Sequence, residues 1–296
     1  MTGSPQQVSC RKHPDWLKAK IPAGEEYYRV KGLLEKLQLH TVCRYANCPN
    51  IGECYGRGTA TFLILGNTCT RDCGYCRIDH GKPGIPDPAE PAHIAEAAGV
   101  LGLRYVVITS VTRDDLPDGG AAHFAQVVKQ IHSLSRDIRV ELLIPDFRGS
   151  RESLQIVTAA APAVIGHNLE TVSRLFPIVR PEGNYRLSLT LLRNIKNLAP
   201  GITVKSGIML GMGENEGDIL EALQDLRNHQ VDIVIVGQYL CPGPGHLPLE
   251  KYYTPQEFEK YRTIALEMGF KAVAAAPLVR SSYRAGELYN GYTYHP

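Results

Sequence analysis

One stretch indicates both the fold and the chemistry of this chain: Cys69-Thr-Arg-Asp-Cys73-Gly-Tyr-Cys76, which follows the apolar run Thr61-Phe-Leu-Ile-Leu65. It spaces three thiols as CxxxCxxC. Cysteines this close can ligate one inorganic centre, but a closed zinc or 4Fe-4S site has four ligands, and no fourth cysteine follows within reach. One coordination position is therefore predicted to be open, as catalysis requires. The alternative is a zinc knuckle completed by His80.

A second cysteine triplet, Cys43, Cys48 and Cys54, ends fifteen residues upstream of the first and has the spacing CxxxxCxxxxxC. Pro49 and Gly52 place it on a turn-rich loop that can fold its sulfurs inward. Alone, this triplet is also compatible with a zinc site completed by a remote histidine. Two soft-ligand triplets in one chain favour two iron–sulfur clusters.

The composition is that of an ordinary globular protein, with 296 residues, 44% hydrophobic and 21% charged. The formal net charge of +2 gives no indication of a nucleic-acid or membrane partner. No run approaches the ~18 apolar residues that span a bilayer, and residues 1–8 lack the basic and apolar regions of a signal peptide. We expect a cytoplasmic protein whose clustered cysteines bind metal rather than form disulfides.

Short apolar runs rich in β-formers alternate with helical patterns along the rest of the chain. The predicted strands are 61–65, 105–111, 139–144, 163–166, 203–210 and 232–240. The predicted helices between them are 91–102, 120–135, 150–160, 187–198 and 215–229, and a further helix, 257–269, begins at Thr254-Pro255. Such alternation predicts an α/β fold with parallel strands and right-handed crossovers, and six units fit a partial (β/α)6 barrel.

The first triplet, with the aromatic Tyr75 before its last cysteine, resembles the hallmark of the radical S-adenosylmethionine superfamily. The resemblance implies a TIM-type partial (β/α)6 barrel with N- and C-terminal extensions. It also implies that Cys69, Cys73 and Cys76 ligate a 4Fe-4S cluster whose remaining iron binds the amine and carboxylate of S-adenosylmethionine. The reduced cluster then cleaves that cofactor to a 5′-deoxyadenosyl radical.

The resemblance extends from about Trp16 to Ala285 and narrows to the lipoyl synthase family. It rests on both triplets, the intervening Gly58-Thr-Ala-Thr-Phe-Leu-Ile-Leu-Gly66, and Arg280-Ser-Ser-Tyr283. It implies a sulfurtransferase that inserts two sulfur atoms, at carbons 6 and 8 of an octanoyl chain amide-linked to a carrier-protein lysine.

The same resemblance assigns the auxiliary centre. An auxiliary 4Fe-4S cluster, held by Cys43, Cys48, Cys54 and Ser282, would donate both sulfurs. Ser282 is preferred to Ser281 as the oxygen ligand, and a hard alkoxide on a soft cluster would be a weak link that lets the cluster open. The alternative is a Ser-Ser turn packed by Arg280.

Candidate contacts to S-adenosylmethionine follow the ends of predicted strands, where barrels of this type place reactive residues. They are Tyr75 in the cysteine loop, Thr112 for the methionyl amine, Asn168 and Glu170 for the ribose hydroxyls and the methionyl end, and Lys205 on the fifth strand. The glycines of Gly207–Glu214 would admit adenine close to the backbone.

Several other polar residues and cysteines of the chain also have a structural interpretation. Asp114, Asp115 and Asp118 also suit the start of the helix after Gly120. His167 is expected to be a hydrogen-bonded histidine at the barrel mouth rather than a ligand. Cys10 and Cys241 belong to neither triplet and are expected to be small buried side chains.

The chain is expected to have three parts. Residues 1–58 form an N-terminal extension carrying the auxiliary-cluster cysteines, 59–245 form the radical S-adenosylmethionine barrel, and 246–296 form a C-terminal helix and segment with the Arg-Ser-Ser-Tyr motif.

The resemblance also implies two protein partners. One is an octanoylated carrier, either a lipoyl domain of a 2-oxoacid dehydrogenase or the glycine-cleavage H protein, whose acidic surface the slight basicity of the chain would suit. The other is an electron donor such as ferredoxin or flavodoxin. We expect a monomer.

Three other functions are compatible with parts of the pattern. Methylthiotransferases that act on tRNA carry two cysteine triplets, but they end in a basic RNA-binding module that this chain lacks. A two-cluster electron carrier would have complete four-cysteine ligation. A zinc-stapled interaction module would have no catalytic activity.

Overall fold

The computed structural model describes residues 13–291, so Cys10 lies outside the described part of the chain. Its strands are β1 His40–Thr41, β2 Thr61–Ile64, β3 Thr68–Cys69, β4 Asp79–His80, β5 Tyr105–Ser110, β6 Arg139–Leu143, β7 Val164–Gly166, β8 Thr203–Leu210, β9 Ile233–Gln238 and β10 Ala272–Ala276. Its helices are α1 Glu25–Lys36, α2 Val42–Tyr45, α3 Ile51–Gly56, α4 Glu90–Val100, α5 Ala121–Leu134, α6 Arg151–Ala159, α7 Phe176–Val179, α8 Tyr185–Leu198, α9 Glu216–Asn228, α10 Pro255–Glu267 and α11 Ala285–Tyr289.

Eight strands form one sheet in the order β1-β2-β5-β6-β7-β8-β9-β10, with β3 and β4 paired separately. Only the β1–β2 pair of this sheet is antiparallel, and the other six pairs are parallel. Because β1 and β10 end the order without pairing to each other, the barrel is open. This confirms the predicted partial (β/α)6 barrel, and β10 extends its parallel strands by one.

The parallel strands are buried on both faces. Helices pack against the outer face, and side chains packed inside the barrel lumen bury the inner face. Val234 and Val236 of β9 belong to the large core beneath the helices. The alternate residues Ile233 and Ile235 point to the lumen, where they pack in a second cluster. The other members of that lumen cluster are Ala272, Ala274, Ala276, Val279, Tyr283 and Leu288, with Cys54 packed against it.

Local sequence explains where the outer helices begin. The Asn215 side chain accepts from the backbone N–H of Asp218, whose carboxylate bonds back to the Asn215 N–H, and this capping box starts α9. Thr254 and Glu257 form the same arrangement at α10, with Pro255 in its first turn, as predicted. Within residues 13–291, no helix is both long and apolar enough to cross a membrane.

The N- and C-terminal segments meet beside the lumen. The Asn50 side chain donates to the Leu278 carbonyl at 2.7 Å. The Glu53 carboxylate accepts from the Tyr283 hydroxyl at 3.0 Å and from Arg284 at 2.9 Å. The segment that carries the second cysteine triplet is therefore fixed against the Arg-Ser-Ser-Tyr motif.

Candidate functional site

The CxxxCxxC loop leaves the carboxyl end of β2 through two residues with left-handed backbone, Leu65 at φ 68° and Gly66 at φ 94°. Its first cysteine, Cys69, accepts hydrogen bonds at its Sγ from the backbone N–H of Arg71 at 3.4 Å and of Thr112 at 3.3 Å. Cys69, Cys73 and Cys76 are all free thiols and partly buried, as metal ligands at a barrel mouth must be.

Arg71, between the first two cysteines, ties this loop to the ends of β5 and β6. Its guanidinium bonds Asp114 at 2.6 and 3.0 Å, and Asp146 at 2.7 Å through each of two nitrogens. Burial opposes ionisation of Asp146, but the bonds and charge of Arg71 outweigh it and lower the pKa of that carboxyl to about 2. This network was not predicted from the sequence, and its only signal was an arginine inside the motif.

The three aspartates after β5 have separate roles. Asp114 pairs with Arg71, and Asp115 pairs with the buried Arg113 at 2.8 Å. Asp118 accepts from the N–H groups of Gly120 and Ala122 at the start of α5. The helix-start interpretation is therefore confirmed for Asp118 and wrong for the other two.

The far side of the loop is covered by the segment 240–249. The Leu247 N–H donates to the Gly74 carbonyl at 2.9 Å, and His246 Nε2 lies 3.0 Å from the Cys76 carbonyl oxygen. A side chain at position 74 would begin 2.9 Å from Leu247 Cγ, so any larger residue there would have to displace the Leu247 side chain. Cys241 of this segment is half-buried and donates to the Gly243 carbonyl at 3.4 Å.

Tyr75, Asn168 and Glu170, predicted to contact the cofactor, come together beside this loop. Glu170 accepts from Asn168 Nδ2 at 3.1 Å and bonds the Tyr75 hydroxyl. Burial raises the pKa of Glu170, although the Arg180 charge opposes the shift. Thr112, on the same side, meets the loop through its backbone N–H to Cys69.

Glu170 has left-handed backbone, with φ 69°, and its own N–H and C=O bond the backbones of Gly207 and Met209 on β8. A non-glycine residue held in this conformation stores strain, which clusters at functional sites. The strand-end residues are therefore fixed in place before any ligand binds.

Lys205 lies apart from these residues. It is third in β8, nearer the amino end, and its Nζ is 2.7 Å from Glu141 Oε1, with both side chains at most 3% exposed. Tyr105 donates to the other oxygen of Glu141 at 2.5 Å. Nothing in these contacts supports the predicted role of Lys205 at the cofactor, because its charge is already neutralised.

His167 also has a structural environment. Its Nδ1 lies 2.9 Å from the Ile144 carbonyl and its Nε2 3.0 Å from the Ser188 hydroxyl. Burial and the nearby Arg180 charge lower the pKa of His167 to about 4. This confirms a hydrogen-bonded, neutral histidine.

The glycine-rich end of β8 is held by Glu214, whose carboxylate accepts from the N–H groups of Gly211 at 2.6 Å and Met212 at 3.0 Å. Gly211 has φ 118°, and a Cβ there would lie 2.4 Å from Gln238 Nε2 and 2.7 Å from the Lys251 carbonyl. This glycine is therefore required by packing as well as by any approach of a ligand.

Features of this site fit S-adenosylmethionine, whose amine and ribose hydroxyls donate hydrogen bonds. Asn168 Oδ1 is buried without a partner among the described residues. A Cβ at Gly207 would lie 3.2 Å from that oxygen, so a side chain at position 207 would crowd it. Glu170 supplies a carboxylate next to it.

The second triplet was predicted on a turn-rich loop, but only Cys48 lies outside a helix, because Cys43 is in the short helix α2 and Cys54 is in α3. All three thiols are free. Burial, together with the charge of Cys48, raises the pKa of Cys43 to about 12. Burial and the charges of Cys43 and Cys48 likewise raise the pKa of Cys54 to about 12. Each thiol is thus close enough to affect the others, and binding a soft metal would relieve the cost of ionising them.

The Arg-Ser-Ser-Tyr motif lies next to this triplet. Burial raises the pKa of Cys48, and the charge of Arg280 opposes that shift. The Ser281 hydroxyl bonds Asn168 Nδ2 at 2.7 Å, and the Ser282 carbonyl accepts from the Ala285 N–H at 3.4 Å. Ser282 as a cluster ligand stays a prediction.

No three Cys, His, Asp or Glu side chains within residues 13–291 converge as the ligands of a single metal ion would. In a 4Fe-4S cluster each thiolate binds a different iron, so its ligands stand farther apart. The His80 side chain is 59% exposed and lies 3.3 Å from Asp72.

Family models match two parts of the sequence. Residues 63–226 match the radical S-adenosylmethionine superfamily, and residues 4–48 match the N-terminal domain of lipoyl synthase. Among solved structures, methylornithine synthase has a TM-score of 0.53 and 13% identity, over 86% of this chain and 84% of that chain. The hydrogenase maturase HydG has a TM-score of 0.58 and 16% identity, over 78% of this chain and 54% of that chain. These structures support the fold alone.

Curated relatives are much more similar. The lipoyl synthase of Alkaliphilus metalliredigens is 50% identical over 280 residues, which are 95% of this chain and 97% of that protein. The lipoyl synthases of Syntrophotalea carbinolica and Rubrobacter xylanophilus are each 52% identical to this chain. The alignments cover 92% and 95% of this chain, respectively, and 88% of each relative.

Proposed function

The chain belongs to the lipoyl synthase family of the radical S-adenosylmethionine superfamily, and from this we infer that it converts a protein-bound octanoyl chain into the lipoyl cofactor by inserting two sulfur atoms. The observation that carries this conclusion is a sequence identity of 50–52% with lipoyl synthases, over most of the length of both chains. Members of this family use S-adenosylmethionine and two 4Fe-4S clusters.

We propose that Cys69, Cys73 and Cys76 hold the catalytic cluster. When bound, this cluster and S-adenosylmethionine supply the radical that removes hydrogen from an unactivated carbon, which no base could deprotonate. The chain positions that chemistry: Arg71 fixes the loop to β5 and β6, and Glu170 offers a carboxylate beside Asn168 that could accept hydrogen bonds from the cofactor.

We propose that Cys43, Cys48, Cys54 and Ser282 hold the auxiliary cluster, which would supply the sulfur. Support comes from the free, mutually close thiols and from the bonds that join this segment to the motif containing Ser282. The lumen cluster around Cys54 is apolar, which suits an alkyl substrate and keeps water away from it.

The partners are inferred from the activity. The substrate is an octanoylated carrier, and we propose a lipoyl domain of a 2-oxoacid dehydrogenase or the glycine-cleavage H protein, with ferredoxin or flavodoxin as electron donor. A monomer is proposed, because both the auxiliary triplet and the Arg-Ser-Ser-Tyr motif beside it come from one chain. A cytoplasmic location is proposed, since the cluster cysteines need a reducing compartment. The three-part division at residues 58 and 245 also remains a proposal.

Anaerobic single turnover tests the function. The reconstituted protein is mixed with an octanoyl-lysyl peptide, S-adenosylmethionine and a strong reductant, and the products are weighed by mass spectrometry. A dithiolated peptide is expected. Deoxyadenosine without sulfur on the peptide would direct the radical chemistry to another substrate, and no deoxyadenosine from a fully loaded protein would favour the electron carrier.

A further inference from the structure

Asn168 joins two parts of the molecule that are far apart in sequence. It follows β7, is 9% exposed, and its Nδ2 donates to Ser281 Oγ at 2.7 Å and to Glu170 Oε1 at 3.1 Å. Ser281 is 113 positions away, in the Arg-Ser-Ser-Tyr turn beside the second triplet. One side chain therefore contacts both the proposed S-adenosylmethionine site and the proposed auxiliary site.

The orientation of this amide is determined by its neighbours. Glu170 presents a carboxylate oxygen, which accepts, so the Asn168 NH₂ group must face it and the amide oxygen must point away. The backbone is held as well, because Arg180 Nη1 donates to the Asn168 carbonyl at 2.8 Å. With both amide hydrogens engaged, Oδ1 is left buried and unpartnered among the described residues, and only a residue without a Cβ at position 207 avoids crowding it.

A buried acceptor without a partner is costly, and its occurrence at a site calls for a donor that binds there. The Ser281 hydroxyl forms the shorter of the two bonds to Nδ2, so it restrains rotation of the amide about its terminal torsion. Removing that bond would leave Oδ1 less well placed for a ligand, and preorganisation of this kind contributes directly to affinity.

We propose that Asn168 and Ser281 form a positioning pair that couples the two centres: Ser281 fixes the Asn168 amide so that Oδ1 accepts a hydrogen bond from bound S-adenosylmethionine. The coupling is reciprocal, so bound S-adenosylmethionine also restrains the turn that carries Ser282. The proposal rests on the proposed function for the identity of the ligand. Ser281 acts through Asn168 and is a positioning residue.

A double-mutant cycle tests the pair without turnover. Reconstituted wild type, Ser281→Ala, Asn168→Ala and the double variant are matched for iron and sulfide content. The dissociation constant for S-adenosylmethionine is then measured by equilibrium dialysis with oxidised clusters. Ser281→Ala should weaken binding about three- to tenfold, the cost of freeing one side chain. In the Asn168→Ala background the same change should have less than a twofold effect.

Ser281→Thr and Ser281→Val provide a matched pair, because they have nearly the same shape and only threonine keeps the hydroxyl. Threonine should bind the cofactor within about twofold of wild type, and valine should match alanine. If Ser281→Ala fails to load its clusters, the comparison of the threonine and valine variants tests the proposal instead.

Two results would overturn the proposal. One is an unchanged dissociation constant in Ser281→Ala or Ser281→Val. The other is a double variant whose fold-loss of affinity equals the product of the losses in the two single variants. Because no octanoyl substrate is present, the outcome is separate from the proposed function. A wild type that binds S-adenosylmethionine with the predicted coupling, yet makes no thiolated product, would refute the function and leave the pair intact.

Discussion

The guanidinium of Arg71 bonds both oxygens of Asp146 at 2.7 Å, and the two side chains are 6% and 2% exposed. This contact spans 75 positions and fixes the cysteine loop to the end of the third parallel strand of the barrel. Its geometry is the parallel, two-bond arrangement that makes arginine–carboxylate pairs both strong and directional. The loop is therefore shaped by the protein before a cluster binds.

Replacing Arg71 with methionine should destabilise the protein by about 3–5 kcal/mol, because it leaves the buried Asp146 carboxylate without its arginine and removes the buried partner of Asp114. Thermal unfolding of the reduced apo-protein measures this loss. Arg148→Met is the matched control, since Arg148 also contacts Asp114, at 3.2 Å, but is 70% exposed. The control should change stability by less than about 1 kcal/mol. Equal losses in both variants would contradict a special role for Arg71.

His167 should make the protein less stable in mild acid. Burial lowers its pKa from 6.5 to about 4, so the folded state binds fewer protons than the unfolded state between these values. Stability is then lost as the pH falls from 6.5 towards 4, by roughly 3 kcal/mol in all. Asp146, whose pKa is lowered to about 2, contributes only below its unfolded value of 3.8 and does not affect this window.

Urea denaturation of the reduced apo-protein at pH 7.5 and pH 5 checks the prediction for His167. His167→Gln should reduce the difference in unfolding free energy between the two pH values, because glutamine cannot titrate. A variant with the same pH dependence as wild type would show that other groups cause it.

Gly52→Ala should displace the N-terminal residues from the segment that carries the second cysteine triplet. A Cβ at position 52 would lie 2.6 Å from the Lys20 carbonyl oxygen and 2.9 Å from the Pro22 nitrogen, and backbone cannot yield as a flexible side chain can. We expect a loss of about 1–3 kcal/mol and faster tryptic cleavage after Lys18 and Lys20.

Gly56→Ala is the control for that substitution, because it lies on the same helix, α3, with no atom within 4 Å of its added Cβ. It should leave the cleavage rate unchanged. Equal rates for the Gly52 and Gly56 variants would mean that the close approach of the segment 20–22 is unimportant.

Ser282→Cys should keep the auxiliary cluster but reduce sulfur insertion at least tenfold, because a thiolate holds iron more firmly than an alkoxide and would prevent the cluster from opening. Iron and sulfide analysis measures the loading, and mass spectrometry of the peptide measures the product. Ser282→Ala should lose auxiliary iron. Full sulfur insertion by the cysteine variant would refute the weak-link hypothesis.

Much of the fold could be predicted because its signals are local. Strand-forming runs and helix caps such as Thr254 lie within a few residues of the structure that they determine. Strand β10 is not among the predicted strands, because Ala272–Ala276 has almost no β-branched residues. Its partner, β9, supplies the pairing that its own composition does not indicate.

The cysteines of the site could be found for the same reason, because ligand spacing within a triplet is local. Contacts across the barrel could not be found in this way. Lys205 was predicted near the cofactor from its strand alone, but strand register places it beside Glu141. The Asn168–Ser281 bond depends on how the C-terminal segment returns to the lumen, which no local pattern encodes.

The most direct test of the account is the isotopic origin of the inserted sulfur. The protein is reconstituted with ³⁴S-sulfide, freed of excess sulfide, and allowed one turnover on an octanoyl-lysyl peptide in the presence of unlabelled sulfide. If the second triplet holds the sulfur donor, both inserted sulfurs in the product will be ³⁴S, and Cys43→Ala will give no labelled product. Unlabelled sulfur in the product, or labelled product from the Cys43 variant, would contradict the proposal that the second triplet holds the sulfur donor.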